Sequence, residues 1–343
     1  MNYKSPYPWF GGKSAAMPAV WQRLGKVANF VDPFFGSNVA LLSNPYWTPD
    51  TSMIETINDA DGFVCNFWRA VAAAPDEVAH YADWPTNEND QHARHIWLVN
   101  RRESITAKLE GDPDYYDAKI AGWWAWGMAC WIGSGWCSGN GSWQSVDGKL
   151  VNVSGNAGQG INRKRVDLGN AGRGVKRQLV HLGNAGMGDA GTGESGLYAW
   201  MSALQERLRR VRVCCGDWAR VCGPTPTFLN GSTAVFLDPH YSLEAGRDNN
   251  LYAIESGTVA HDVREWAIEN GDNPLLRIAL CGYLDEHAMP DGWDVYQWKA
   301  HGGYGLQGNG AGRDNANREC VWFSPHCLKP DQVKQSSLFE DFV

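Results

Sequence analysis

Asp238, Pro239, His240 and Tyr241 close the apolar run Val235-Phe236-Leu237, and together they carry the groups needed to methylate an exocyclic amine. The Asp238 carboxylate and the Pro239 carbonyl can both accept hydrogen bonds from an amino group, which turns its nitrogen lone pair towards an incoming methyl. Tyr241 offers an aromatic face on which a base extruded from its duplex can stack. His240 adds an imidazole able to accept a proton near neutral pH. Asp-Pro also marks ordinary turns after strands, so the weight of the reading falls on what accompanies it.

Three segments accompany it in order. Trp9 and Lys13 lie four apart around Gly11-Gly12. Residues 30–42 run from an apolar strand through Asp32, Phe34 and Gly36 into a helix start, and residues 57–71 place Asp59 at the end of a second strand, before an amphipathic helix. A strand, a Gly turn, a helix, a strand and an acid form the half-domain that binds an adenosyl ligand: the backbone approaches the ligand at the Gly and the acid takes the ribose hydroxyls. Asp59 follows Gly36 by 23 residues, close to the spacing of a ribose-binding acid.

With these residues in place, nearly the whole chain resembles the adenine-specific DNA methyltransferases of the Dam-like, alpha-class family. The family's W-x-G-G-K motif matches Trp9 to Lys13, its (D/E)-P-F-x-G-x-G motif matches Asp32 to Asn38, and its D-P-P-Y matches Asp238 to Tyr241. The resemblance implies an α/β fold, a Rossmann-like S-adenosylmethionine-dependent methyltransferase sheet with an inserted helical and loop-rich DNA-recognition region. It implies S-adenosyl-L-methionine held by Trp9, Lys13, Asp32, Phe34, Gly36 and Asp59, with no metal, and catalysis at Asp238, Pro239, His240 and Tyr241. Residues 276–283 and 299–324 look like the closing strands of that sheet. Two positions depart from the pattern. Asn38 stands for the second Gly of the first motif, and Asn tolerates a left-handed backbone better than other non-Gly residues. His240 stands for the second Pro of the catalytic motif, which removes a restraint on Pro239 and keeps both acceptors. An impaired enzyme that still binds DNA, and a cytosine or RNA amino-methyltransferase, are the alternative readings.

The elements that would position these residues divide the chain into a catalytic and cofactor-binding domain over 1–75 and 216–327, a target-recognition insertion over 76–215, and a tail over 328–343. The 343 residues suffice for a substantial core. A net charge of −8 argues against DNA as a partner until the charge is divided along the chain. Residues 149–212 hold 11 Lys and Arg against 4 Asp and Glu. The same segment repeats G-N-A-G-x-G from Gly155, Gly169 and Gly183, a period of 14. Arg163, Lys164, Arg165, Arg173, Lys176 and Arg177 sit between or beside the copies, and a Gly-rich arm over 155–188 that follows the phosphates of double-stranded DNA is the functional expectation. A solvated linker is its bland counterpart.

Six of the 18 Trp fall within residues 122–143, where the pattern predicts a buried helix from about Asp117 to Ile132 and then a Gly-rich loop. Trp123, Trp124, Trp126 and Trp131 read as core, and Trp136 and Trp143 as side chains that could reach nucleic acid. No run is long enough for a membrane span and no N-terminal signal is visible; the expectation is a cytoplasmic protein without a membrane partner, taken as a monomer. Nine Cys without metal-ligand spacing fit reduced thiols. His92 and His95 read as solvent-exposed, and Tyr198 to Val213 as one amphipathic helix. In the tail, Gln335 to Phe339 reads Q-S-S-L-F, which looks like the peptide that grips the bacterial sliding clamp.

Overall fold

A computed structural model describes residues 3–7, 9, 12–131, 136–137, 143–146, 149–152, 196–242, 258–298 and 318–330. In chain order its elements are α1 (Met17–Leu24), β1 (Asn29–Asp32), α2 (Val39–Leu42), β2 (Ile54–Asp59), α3 (Gly62–Ala73), α4 (Pro75–Ala82), α5 (Glu88–Val99), α6 (Arg102–Gly111) and α7 (Ala118–Cys130). There follow β3 (Trp143–Val146), β4 (Lys149–Asn152), α8 (Leu197–Leu208), β5 (Val211–Cys215), β6 (Thr233–Leu237), α9 (Val259–Asn270), β7 (Leu276–Tyr283), β8 (Asp294–Gln297) and β9 (Glu319–Phe323).

Seven strands form one sheet in the order β5-β2-β1-β6-β7-β9-β8, and β3 and β4 pair separately. All neighbours in the large sheet are parallel except that β9 runs antiparallel to both β7 and β8. The fold is therefore mixed α/β with a mostly parallel sheet, compatible with a Rossmann-like arrangement. The central strands β1, β6 and β9 are buried along their whole length, as expected where helices cover both faces. Alternation divides them between two cores: Phe30, Ala234 and Phe236 face the cluster built with α1, α3, α4, α7 and α8, whereas Val31, Val235 and Leu237 face the one built with α9. From β1 the chain winds outward to β2 and β5, then crosses back to β6 on the other side of β1. Ligands of such sheets bind at that reversal, outside the carboxyl ends of the strands.

The helices start where the sequence supplies caps. Asp61 accepts from the Phe63 amide at the head of α3, and Asp117 from the Ile120 amide at the head of α7. Asn66 of α3 then bonds both backbone groups of Asp117, its amide donating to the carbonyl at 2.9 Å and its oxygen accepting from the amide at 2.8 Å. α7 thereby becomes part of the core around α3. It spans nearly the residues that the Trp-rich pattern predicts, with Trp124 and Trp126 fully buried and Trp123 partly so.

Three expectations need correction. The helix expected from Tyr198 to Val213 ends at Leu208, and Val211 to Cys215 form the edge strand β5 beside β2. Parallel pairing with β2 satisfies a backbone that helix propensity alone would have left coiled, so the chain rejoins the sheet at Val211, before residue 216. Trp136 does not reach outward. Its indole lies directly over Gly127, where a Cβ would stand only 1.9 Å away, and donates to the Trp124 carbonyl at 3.0 Å. His95 is buried, stacked on Trp131 at 5.0 Å, and accepts from the Cys137 amide. Its partners come from the loop after α7, so its own helix gave no sign of them. The Trp143 side chain, the arm over 155–188 with Arg163, Lys164, Arg165, Arg173, Lys176 and Arg177, and Gln335 to Phe339 lie outside the described residues. Among the described residues, no helix is long and apolar enough to cross a membrane.

Candidate active site

The buried strand β6 delivers Asp238 to its carboxyl end, next to the end of β1 and thus at the point where strand order reverses. The partner that meets Asp238 comes from the N-terminal segment. Lys13, 2% exposed, places Nζ 3.1 Å from Asp238 Oδ1 and 3.6 Å from Glu319 Oε2. Its ammonium also lies 5.0 Å from the Tyr241 ring centre and 6.0 Å from that of Trp298. Burial pushes the Asp238 carboxyl up to about 6; Lys13 pulls it down and Glu319 pushes it further up.

Tyr241 is buried against Tyr283 in an edge-on contact of 4.7 Å, and its hydroxyl donates to Glu319 at 2.8 Å. Burial, followed by the Glu319 charge, raises that hydroxyl well above the ordinary tyrosine value. Pro239 is buried and His240 partly exposed. Glu319 is the main site residue that reading the sequence missed. The available signal was an acid opening the otherwise apolar strand Cys320-Val321-Trp322-Phe323, because a charge in a buried strand needs a partner.

On the β1–β2 side, the spacing between Gly36 and Asp59 becomes a direct contact. Asp59 Oδ2 accepts from the Gly36 amide at 3.0 Å and Oδ1 from the Asp61 amide at 2.8 Å. Burial nonetheless raises the Asp59 carboxyl to about 7, against the pull of those amides. Gly36 has a φ of 43°, and a Cβ there would meet the Trp9 indole nitrogen at 2.4 Å. The turn thus requires Gly both for its backbone and for the close approach of Trp9. Tyr7 donates to the Gly36 carbonyl at 2.8 Å and receives the Trp68 indole N–H at 2.9 Å. Asp32 is 1% exposed, and its carboxylate accepts from the Phe34 amide at 3.2 Å. Burial, reinforced by Asp238 and Asp59, holds Asp32 well above the usual carboxylate range.

Phe34 packs against Trp218 at 6.1 Å. Trp218 follows β5 in the turn whose Gly216 amide donates to the Asp59 carbonyl at 2.9 Å. Ending the preceding helix at Leu208 would have exposed this strand–Gly–Asp–Trp pattern in the sequence. The structure therefore brings Trp9, Lys13, Asp32, Phe34, Gly36, Asp59 and Asp238 to Tyr241 to one end of the sheet. Lys13, expected beside the cofactor, stands within the Asp238 cluster itself.

Asn38 adopts the left-handed backbone expected of it, with φ 62° and ψ 27°. Its side chain is fully buried, and among the described residues neither amide atom has a hydrogen-bond partner. Asn38→Gly should keep the turn and remove two unsatisfied groups, raising stability by about 1–2 kcal/mol. Thermal unfolding checks this, and a lowered midpoint would show that the amide supports the turn.

Compared with known families and with curated proteins, the chain matches no family model and no curated sequence.

Proposed function

We propose that the protein is a DNA adenine methyltransferase using S-adenosylmethionine. The observation that carries the reading is the placement of Asp238 and Tyr241 across the strand reversal from the Gly36–Asp59 clamp. One crevice can then receive an adenosyl ligand on the β1–β2 side and an amino base on the β6 side.

The residues present fit the cofactor. Gly36 lets the Trp9 indole close on the turn, Asp59 stands where ribose hydroxyls would be accepted, and the carboxyls of Asp32, Asp59 and Asp238 suit a cation. Trp9, Phe34 and Trp218 supply apolar surface around them. When bound, the cofactor supplies a methyl group on a positively charged sulfur.

The chain's own residues do the remainder. Asp238 uses Oδ2 to accept from the adenine amino group, since Lys13 occupies Oδ1, and the Pro239 carbonyl accepts the second amino hydrogen. This turns the lone pair towards the methyl group and makes the amine itself the nucleophile. Tyr241, fixed through its hydroxyl by Glu319, presents its ring edge or face to the base. The proton released on methylation passes to Asp238, whose raised pKa suits it to accept and then return a proton near neutral pH. The basic repeat, by its charge, is assigned to the phosphate backbone.

The test is incubation of the purified chain with S-adenosylmethionine and duplex DNA, followed by digestion and mass analysis of nucleosides. N6-Methyladenine is expected. Methylated cytosine would redirect the reading to another amino base, and DNA binding without any methylated product would replace it with a binding role.

The raised carboxyls add a pH signature. Asp238 and Asp59, at about 6 and about 7, are largely protonated at low pH, and a cationic ligand favours their ionised forms. Affinity for S-adenosylmethionine should therefore rise between about pH 5.5 and pH 8, by about ten- to a hundredfold, with proton release below neutrality. The ligand-free fold moves the other way. A carboxyl with a raised folded pKa leaves stability unaffected in acid and weakens it as pH climbs from the ordinary carboxylate value through the folded one. Calorimetry in two buffers and thermal melts across that window check both signs. A flat affinity would remove the acids from the cofactor site.

A further inference from the structure

We propose that Glu319 sets the charge selectivity of the site: with Asp238 it outweighs the Lys13 ammonium, and the resulting negative pocket favours the sulfonium cofactor over the neutral thioether product. The inference rests on the methyltransferase reading above.

A charge stands in an unexpected place in β9. Glu319 is 8% exposed and opens β9, which lies inside the sheet between β7 and β8. Removing a carboxylate from water is costly unless hydrogen bonds and an opposite charge compensate it. Glu319 Oε2 receives the Tyr241 hydroxyl at 2.8 Å and faces Lys13 Nζ at 3.6 Å. That same ammonium is closer to Asp238, at 3.1 Å. One cation therefore serves two carboxylates.

Among the described residues, the other charges nearby do not restore the balance. Glu286 is held by the backbone amides of Ser242 and Tyr283. Arg318 lies over the Tyr283 ring and pairs with Asp285. Among the described residues around Tyr241, the excess is negative.

A second cation relieves that excess. Reacting atoms are held about 3–3.5 Å apart, so an amine bound to Asp238 places the sulfur one further bond away on the Asp238 side, where Glu319 acts by offsetting the Lys13 ammonium that the two carboxylates share. Transfer breaks the sulfur–methyl bond, leaves its electron pair on sulfur and forms the nitrogen–methyl bond. The positive charge passes to the amine and leaves with its proton. The pocket then holds a neutral thioether that lacks the favourable interaction, which lowers product affinity relative to cofactor.

Calorimetric titration of the full chain with S-adenosylmethionine and with S-adenosylhomocysteine gives the preference as a ratio of dissociation constants. Glu319→Gln, which keeps the shape and a hydrogen-bond acceptor, should reduce the preference about tenfold. Tyr241→Phe removes the hydroxyl without changing charge and should leave the ratio unaltered. Lys13→Met, titrated at about pH 8.5 because loss of the ammonium raises the Asp238 carboxyl further, deepens the negative excess and should increase the preference, an opposite sign that tests the idea even if Glu319→Gln fails to fold. An unchanged ratio in Glu319→Gln, an equal loss in Tyr241→Phe, or a fall in Lys13→Met would each overturn the proposal while cofactor binding itself stands. Failure of the wild-type chain to bind either ligand would overturn the methyltransferase reading, and this inference with it.

Discussion

Under the proposed methyltransferase function, Asp238→Asn should lower the rate of adenine methylation by about 10²- to 10⁴-fold, with a much smaller change in cofactor affinity. The substitution preserves shape but replaces an anionic acceptor with an amide that cannot take up the released proton. Lys13 would lose its closest carboxylate and keep Glu319, so the ammonium would not be left without a partner. Single-turnover kinetics on duplex DNA separates the chemical step from product release. A variant as active as the wild type would remove Asp238 from the chemistry and with it the central claim. His240→Pro provides the complementary arm. It stiffens the turn after Pro239 and leaves both acceptors in place, so activity should rise with the DNA target unchanged. Loss of activity, together with loss of a pH limb near neutrality, would instead give the imidazole a role of its own.

The largest loss of stability is expected from Arg207→Met. Arg207 Nη1 and Nη2 donate to the two oxygens of Glu55 at 2.7 Å each, and Nη2 also donates to the Leu41 carbonyl at 2.8 Å. Both side chains are almost fully buried. Removing one partner leaves a buried carboxylate uncompensated, at a cost of about 3–5 kcal/mol. Denaturant unfolding should show the midpoint falling with little change in slope. Replacing both residues by apolar ones of similar volume should recover most of the loss, because the penalty belongs to the stranded charge. The pair joins α8, which brings the chain back from the basic segment, to β2, which ends in Asp59. The single variant should therefore weaken cofactor binding as well. A change below about 1 kcal/mol would mean that water reaches the pair and screens it.

What the sequence determined by itself is local. An apolar strand ending in Asp238-Pro239, a Gly turn after Asp32, and an acid 23 residues beyond Gly36 are legible because strand, turn and acid are set by neighbouring residues and by period. The same holds for α7, whose Trp-rich run and capping Asp117 mark its limits, and for the left-handed Asn38. The tertiary structure decided which residues share a charge or a hydrogen bond. Glu319 is 78 residues from Tyr241 and Arg207 is 152 residues from Glu55, separations over which no periodicity carries information. Val211 to Cys215 became a strand, against the helical pattern before them, because β2 offered an edge whose backbone groups they could satisfy. Trp136 and His95 turned inward because Gly127 and Trp131 made room and a stacking face for them. In each case a polar or aromatic group was committed by a partner distant in sequence, and the cost of leaving that group unpaired in a buried site fixed its place.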